Sequence, residues 1–95
     1  MPTKVPTGFE ISISARGDGT PEAVYIRFSR SRVARTKEIE SDSLLADYDA
    51  RQRLVGIEVL APVRLSQLTQ LVARSQRASF GRFLRQAVPQ ALVRA

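Results

Sequence analysis

The stretch 44-LLADYDARQRLVGIEVL-60 decides the fold, because two alternating segments flank the polar turn at residues 50–53. Alternation of apolar and polar residues is typical of a strand that buries one face. One antiparallel register brings six apolar residues to the same face: Tyr48 with Val55, Ala46 with Ile57 and Leu44 with Val59. A shift by one residue would mix the two kinds of side chain, so this register is predicted unless a bulge in the turn displaces it. The hairpin therefore supplies four core residues: Tyr48, Val55, Ile57 and Val59.

Three further strands are predicted before this hairpin. Residues 9–15 alternate strictly, and residues 23–28 are rich in β-branched and aromatic side chains. Residues 33–39 are more polar, and their Arg35 and Lys37 indicate an exposed face or a sheet edge. The connections between the strands are too short for crossover helices, so we expect antiparallel pairing in a meander of about five strands.

Beyond Pro62 the apolar residues recur at helical rather than strand spacing. They predict a first helix with the stripe Leu65, Leu68, Leu71 and Val72. They also predict a second helix, capped by Ser79, with the stripe Phe80, Phe83, Leu84, Ala87, Val88, Ala91 and Leu92. Gly81 weakens this helix by about 1 kcal/mol relative to Ala, and Pro89 is expected to kink or divide it.

These elements predict an α+β fold in a single domain, residues 1–95. It consists of an antiparallel β-meander, the sheet unit (residues 9–60), followed by two C-terminal α-helices in a basic helical extension (residues 63–95). A sheet with one apolar face needs a cover, so at least one helix is expected to pack on it. For the second helix, packing on its own sheet, packing across a homodimer and binding of a partner stay open.

The composition excludes several kinds of chemistry. The chain of 95 residues has no Cys, His or Trp, which removes disulfides, Cys/His zinc sites, thiol nucleophiles and His catalysts. We therefore expect a non-enzymatic protein without a cofactor. No apolar run approaches the roughly 20 residues of a membrane span, and the N-terminal residues lack the apolar segment of a signal peptide. A cytoplasmic protein is the expectation.

The net charge of +6 is concentrated in the C-terminal part of the chain. Residues 1–60 contain nine cations and nine acids, whereas residues 61–95 contain six Arg and no carboxylate. This asymmetry favours an anionic partner, which would be nucleic-acid phosphate, an acidic groove on a protein or a membrane surface. The candidate contact residues are Arg74, Arg77, Phe80, Arg82, Phe83 and Arg85. A solvated helical face is the simpler interpretation of the same pattern.

Three carboxylates are candidate ligands for Ca²⁺ or Mg²⁺, which bind oxygen atoms. The predicted register places Asp47, Asp49 and Glu58 on one face of the sheet. The favoured alternative is pairing with three cations of the neighbouring strands: Arg27, Arg35 and Lys37. Such pairs are common on exposed strand faces, so surface pairing is expected rather than a metal site.

Tyr25 and Arg27 place an aromatic ring and a cation on one strand, as in surfaces that bind single-stranded nucleic acid. The alternation puts the next aromatic residue, Phe28, with the apolar set, so only Tyr25 and Arg27 face outward. Packing at the core and at the sheet edge is therefore the favoured interpretation of this segment.

Four segments resemble a known bacterial family: residues 23–29 (AVYIRFS), 33–39 (VARTKEI), 45–49 (LADYD) and 54–60 (LVGIEVL). They are similar to the small proteins of domain of unknown function 2283, and the resemblance covers residues 9–60. Family members usually carry Gly in turns where this chain has Ser31 and Gln52, and they lack its long tail after Leu60. Some members resemble proteins encoded beside toxin-like genes, which implies an antitoxin or partner-protein role.

We therefore expect a small non-enzymatic interaction protein, antitoxin-like or regulatory, which binds through its second helix and an open sheet edge. The alternative is a nucleic-acid-binding protein that uses the arginine-bearing helices, in a homodimer. Phosphate contacts would make the affinity of such a protein fall steeply as salt rises.

Overall fold

The computed structural model describes residues 9–88 and 92–94. Five strands form one antiparallel sheet: β1 (Glu10–Ala15), β2 (Pro21–Arg27), β3 (Arg35–Glu40), β4 (Leu44–Tyr48) and β5 (Leu54–Val59). The remaining elements are β6 (Val63–Arg64), α1 (Leu65–Thr69), a 3₁₀ turn (Arg74–Gln76), α2 (Arg77–Ala87) and β7 (Val93–Arg94), which pairs in parallel with β6. A five-stranded antiparallel sheet followed by a C-terminal helix confirms the predicted α+β class.

The strand order is β1-β2-β5-β4-β3, so the predicted meander is wrong. A meander would place β3 beside β2, but β5 occupies that position. The reason lies in burial: Val55, Ile57 and Val59 of β5 are completely buried, and the most apolar strand gains most from a central place. β3 takes the outer edge instead, which is one of the two positions that its charged residues indicate.

The predicted register is correct over most of the β4–β5 hairpin, where Leu44 pairs with Val59 and Ala46 with Ile57. Next to the turn a bulge shifts the pairing, so Tyr48 lies opposite Leu54 and not opposite Val55. Gln52 adopts a positive φ of 63° in this turn, a conformation that glycine adopts more readily. Because of the shift Tyr48 is only half-buried, whereas the other three predicted core residues of the hairpin are fully buried.

α2 covers the apolar face of the sheet, as expected for one of the helices. Its Phe80 and Leu84 lie in one buried cluster with Ile26 of β2. The Phe80 ring centroid is 5.0 Å from that of Phe9 and 5.2 Å from that of Phe28. Full burial of a side chain of this size stabilises the fold by about 1.5–3 kcal/mol, so these contacts hold the helix on the sheet.

The first predicted helix is reduced to one turn. α1 ends at Thr69, and the chain then tightens, since the N–H of Leu71 bonds to the carbonyl of Leu68 at 3.1 Å. Leu68 and Val72 are nevertheless buried, so the apolar stripe was identified correctly although its helix is short. α1 is also tied to the sheet, because the Gln67 side-chain amide donates to Glu40 Oε2 at 2.7 Å.

α2 begins at Arg77, two residues before the predicted cap. Ser79 instead lies inside the helix, where its hydroxyl donates to the carbonyl of Gln76 at 3.1 Å. α2 ends at Ala87, and Val88 is extended with φ −102° and ψ 133°, as proline requires of the residue before it. The predicted continuation of the helical stripe beyond Pro89, which includes Ala91, lies outside the described residues.

None of the described helices combines the length and the apolar character that a membrane crossing requires.

Candidate functional site

A groove of about 540 Å³ separates α1 from α2, and we call it the arginine groove. Its lining residues are Leu65, Ser66, Thr69, Arg77, Ala78, Gly81, Arg82 and Arg85. Ala78 and Gly81 leave the groove open because they are small. A Cβ atom added to Gly81 would meet only the Thr69 Cγ2 atom, at 3.9 Å. The groove thus places three guanidinium groups and two hydroxyl groups around open space.

Arg77 joins the two walls of this groove. Its Nε donates to the carbonyl of Val72 at 3.3 Å, and its Nη2 lies 3.5 Å from the carbonyl of Gln70. These bonds attach the first residue of α2 to the turn that follows α1. Arg77 therefore has a structural role as well as adding positive charge to the groove.

Arg82 and Arg85 are exposed and form no ion pair within residues 9–88 and 92–94. The described ion pairs, Arg30 with Glu10 at 3.2 Å and Arg53 with Asp49 at 3.1 Å, both lie in the sheet unit. The residues outside the described ranges include no Asp or Glu. The two cations are neighbours three residues apart on one helix, an arrangement that destabilises an isolated helix slightly by repulsion. Arg85 lies in the last turn of α2, where a cation interacts favourably with the helix dipole, but no ion pair of the described residues holds either arginine.

The six predicted contact residues differ in where the structure places them. Three of them line the arginine groove: Arg77, Arg82 and Arg85. Arg74 is exposed on the 3₁₀ turn outside the groove lining. Phe80 has no exposed surface, which corrects the expectation that it contacts a partner. Phe83 is half-buried, with its ring centroid 5.4 Å from that of Phe9.

The groove also contains residues that the sequence analysis missed. Ser66 and Thr69 line the groove together with residues of α2. The pattern of residues within one helix does not predict a site that two helices form together. The residue that could have indicated the groove from the sequence is Gly81, because glycine inside a helix lowers its stability by about 1 kcal/mol relative to Ala. Since an added Cβ would fit there, core packing does not require this glycine.

Polar side chains on the sheet face away from α2 are bonded to one another. The Tyr25 hydroxyl of β2 donates to Asp47 Oδ2 of β4 at 2.8 Å, and the Thr36 hydroxyl of β3 donates to Asp47 Oδ1 at 2.6 Å. The Tyr25 side chain crosses β5 at Gly56, where an added Cβ atom would overlap its ring and hydroxyl. We call Tyr25, Thr36 and Asp47 the polar network of the sheet.

Burial, followed by the bond to Asp47, raises the pKa of Tyr25 to about 12. The phenol is therefore neutral at physiological pH and acts as a hydrogen-bond donor, not as a base. The Arg27 guanidinium carbon lies 5.8 Å from the centroid of this ring, within the range of a cation–π contact. Phe28 packs 5.2 Å from Phe9, on the apolar side as expected. These contacts favour packing over a base-stacking role for the segment.

The three candidate carboxylates have separate partners. Asp49 lies in the turn, where its Oδ1 accepts from the N–H groups of Arg51 and Arg53, both at 2.9 Å. The bond from the Arg53 N–H first, and then the bond from the Arg51 N–H, lowers the pKa of Asp49. Asp47 belongs to the polar network, and Glu58 lies opposite Tyr25 on β5. In the described part of the chain, no three acidic side chains form a group that could hold a metal ion.

The charge pairs expected for Asp47 do not form among the described residues. Arg35 and Lys37 lie on the other face of β3, because Thr36 is the residue opposite Asp47. The Arg35 guanidinium carbon lies instead 5.7 Å from the Tyr48 ring centroid. The hydroxyl groups of Tyr25 and Thr36 therefore bond Asp47 in place of the expected cations.

The two edges of the sheet differ in the features that prevent strand addition. β3 carries four charged residues, Arg35, Lys37, Glu38 and Glu40, and a bulge between the last two. β1 carries one charge, Glu10, which already bonds Arg30. Charges and bulges protect an edge from pairing with another strand, so β3 is protected and β1 is not.

Together the fold and the groove define a small α+β protein with an internally bonded sheet and a basic helical surface. Residues 18–61 match the family described as "Protein of unknown function (DUF2283)". The match confirms the resemblance to that family, although it begins after β1. The arginine groove lies beyond its C-terminal limit. No curated protein and no solved structure matches the chain.

Proposed function

We propose that this is a small non-enzymatic interaction protein, antitoxin-like or regulatory, which binds an acidic surface of a partner protein through the arginine groove. The observation that carries the proposal is the exposure of Arg82 and Arg85 in a segment, residues 61–95, that contains no carboxylate. Uncompensated surface charge accelerates association with a partner of opposite charge. Such a partner would supply the acids that the extension lacks.

The packing of α2 supports this use of its outer face. Its apolar face is buried on the sheet through Phe80 and Leu84, so that face is not available to a partner. The same contacts fix the position of the arginines before binding. Binding then requires little ordering of the chain, which lowers its entropic cost.

We also propose that the protein is cytoplasmic, since the absence of Cys suits a reducing compartment.

Co-purification from host cells tests the proposal with a charge-matched control. Arg82→Glu with Arg85→Glu reverses the groove, and Arg16→Glu with Arg32→Glu makes the same change in net charge at exposed arginines of the sheet unit. We expect the wild-type chain and the control to retain a bound protein that the groove variant loses. Absence of any bound protein, or equal loss in both variants, would contradict the proposal.

Nucleic acid is the second candidate partner, and the hydroxyls of Ser66 and Thr69 beside the arginines favour it. Arginine and hydroxyl side chains are the donors that contact phosphate oxygens in protein–nucleic-acid complexes. Affinity for a single-stranded oligonucleotide should then fall as salt rises. Loss of two phosphate contacts in the groove variant should reduce the slope of log affinity against log salt by about 1.4. A salt-independent affinity would remove this candidate, and nuclease treatment of the co-purified material distinguishes the two.

A homodimer is the remaining part of the proposal. A chain of 95 residues buries a modest core, and association of two copies adds burial.

A further inference from the structure

β1 is an edge strand that lacks the usual protection. Its sequence, EISISA, contains no Pro and no Lys or Arg, and its bulge lies at the end, between Ser14 and Ala15. In residues 9–88 and 92–94, no strand pairs with its outer side. About half of the N–H and C=O groups of an edge strand point away from the sheet, so β1 offers a row of backbone donors and acceptors.

Ile13 gives this edge an apolar component. It is 47% exposed, more than the other exposed large apolar residues of the described chain, Val33 and Leu60. Its neighbour on the same face, Ile11, packs partly against the core. An isoleucine exposed at the unprotected edge of a sheet is a feature of strands that pair with another chain.

The sequence of β1 is complementary to itself in the antiparallel direction. With Ser12 opposite the Ser12 of a second copy, Ile11 lies opposite Ile13, and Glu10 lies opposite Ser14. Opposed residues share a face, so the isoleucines meet on the α2 side and the serines on the other side. No like charges oppose each other, and the bulge lies outside the paired segment.

We propose that β1 pairs antiparallel with β1 of a second copy in this register, so that two sheets become one continuous sheet. The two-fold axis passes through Ser12, perpendicular to the sheet, and therefore places both copies of α2 on the same face. A self-complementary patch is what a two-fold dimer requires. The inference gives the homodimer a defined interface, and it involves no residue of the arginine groove.

The molecular mass of the full chain in solution tests the interface. Sedimentation equilibrium should give twice the monomer mass of 10.5 kDa for the wild type. Ile13→Lys places a charge on the edge and removes both isoleucine pairs, so the dissociation constant should rise by about tenfold or more. Val33→Lys is the matched control, since Val33 is 42% exposed and lies outside β1. It should leave the dimer intact.

A disulfide test reports the register and does not depend on the folding of the Ile13 variant. The chain contains no cysteine, so a single introduced thiol reports only its own proximity to its copy. Directly opposed residues of paired strands have Cα atoms close enough for a disulfide. Ser12→Cys should therefore form a covalent dimer on mild oxidation, and Ser14→Cys should not.

A monomer at every concentration, equal dimerisation of the Ile13 and Val33 variants, or equal cross-linking of the two cysteine variants would overturn the inference. These outcomes are distinct from failure of the arginine groove, because the groove variants retain β1 and the β1 variants retain the groove.

Discussion

The sheet unit and the helical extension differ in how their charged and polar side chains are compensated. In the sheet unit two acids have several partners within the chain: Asp47 bonds Tyr25 and Thr36, and Asp49 bonds its own turn. In the extension, Arg82 and Arg85 form no ion pair with an acid of the described residues. Asp47 and Asp49 of the sheet unit therefore stabilise the fold, whereas Arg82 and Arg85 of the extension are available to the acidic partner that we propose. Substitution of these charged residues should therefore change stability in the sheet unit and binding in the extension.

The largest expected change in the free energy of unfolding comes from Phe80, which packs the helical extension on the sheet. Phe80→Ala should lower the free energy of unfolding by about 3–5 kcal/mol, because it opens a cavity between α2 and the sheet. Denaturant unfolding measures this change. Phe83→Ala is the control, since Phe83 is only half-buried and should cost less. Equal costs would show that the extension is not anchored through Phe80.

Two glycines, one in each region, should respond in opposite directions. Gly56→Ala should lower the free energy of unfolding by about 1–3 kcal/mol, because the new methyl group overlaps Tyr25. Gly81→Ala should raise it by about 1 kcal/mol, because Ala favours helix and its Cβ fits. Thermal unfolding of both variants measures the contrast. A neutral Gly56 variant would mean that Tyr25 can leave its place over β5 without cost.

A smaller contribution to stability, from the bond between Tyr25 and Asp47, should depend on pH. Tyr25→Phe removes the donor to Asp47 and should cost about 1 kcal/mol. The folded-state pKa of about 12 lies above the ordinary 10.0, so the proton is held more tightly in the folded state. The stabilisation is complete below pH 10 and is lost as the pH rises towards 12. The wild type should therefore lose its advantage over the variant in that interval, and a constant difference would argue against the bond.

The sequence predicted the parts of the fold that depend on local pattern. The family, the five strands of the main sheet and the register of Ala46 with Ile57 all followed from alternation and from motif, whereas the short strands β6 and β7 were not predicted. The pairing of Tyr48 did not, because a bulge depends on the conformation of the turn at Gln52. Strand order was also missed, since the position of β5 depends on burial summed over the whole sheet.

For the candidate site, the sequence identified the arginines but not their arrangement. Charge asymmetry points to Arg82 and Arg85 without showing that they line a groove with Thr69 of another helix. Phe80 was included because apolar stripes do not reveal whether they cover the same chain or a partner. Only the packing of α2 on the sheet decides that point.

The most direct test of the account is the affinity of the purified chain for its co-purified partner, measured against salt concentration. Arg82→Gln with Arg85→Gln removes the two uncompensated charges and should leave the unfolding temperature unchanged, because neither arginine has a described ion pair. We expect an affinity that falls with salt and is about tenfold weaker in this variant. Equal affinities of the variant and the wild type at every salt concentration would contradict it.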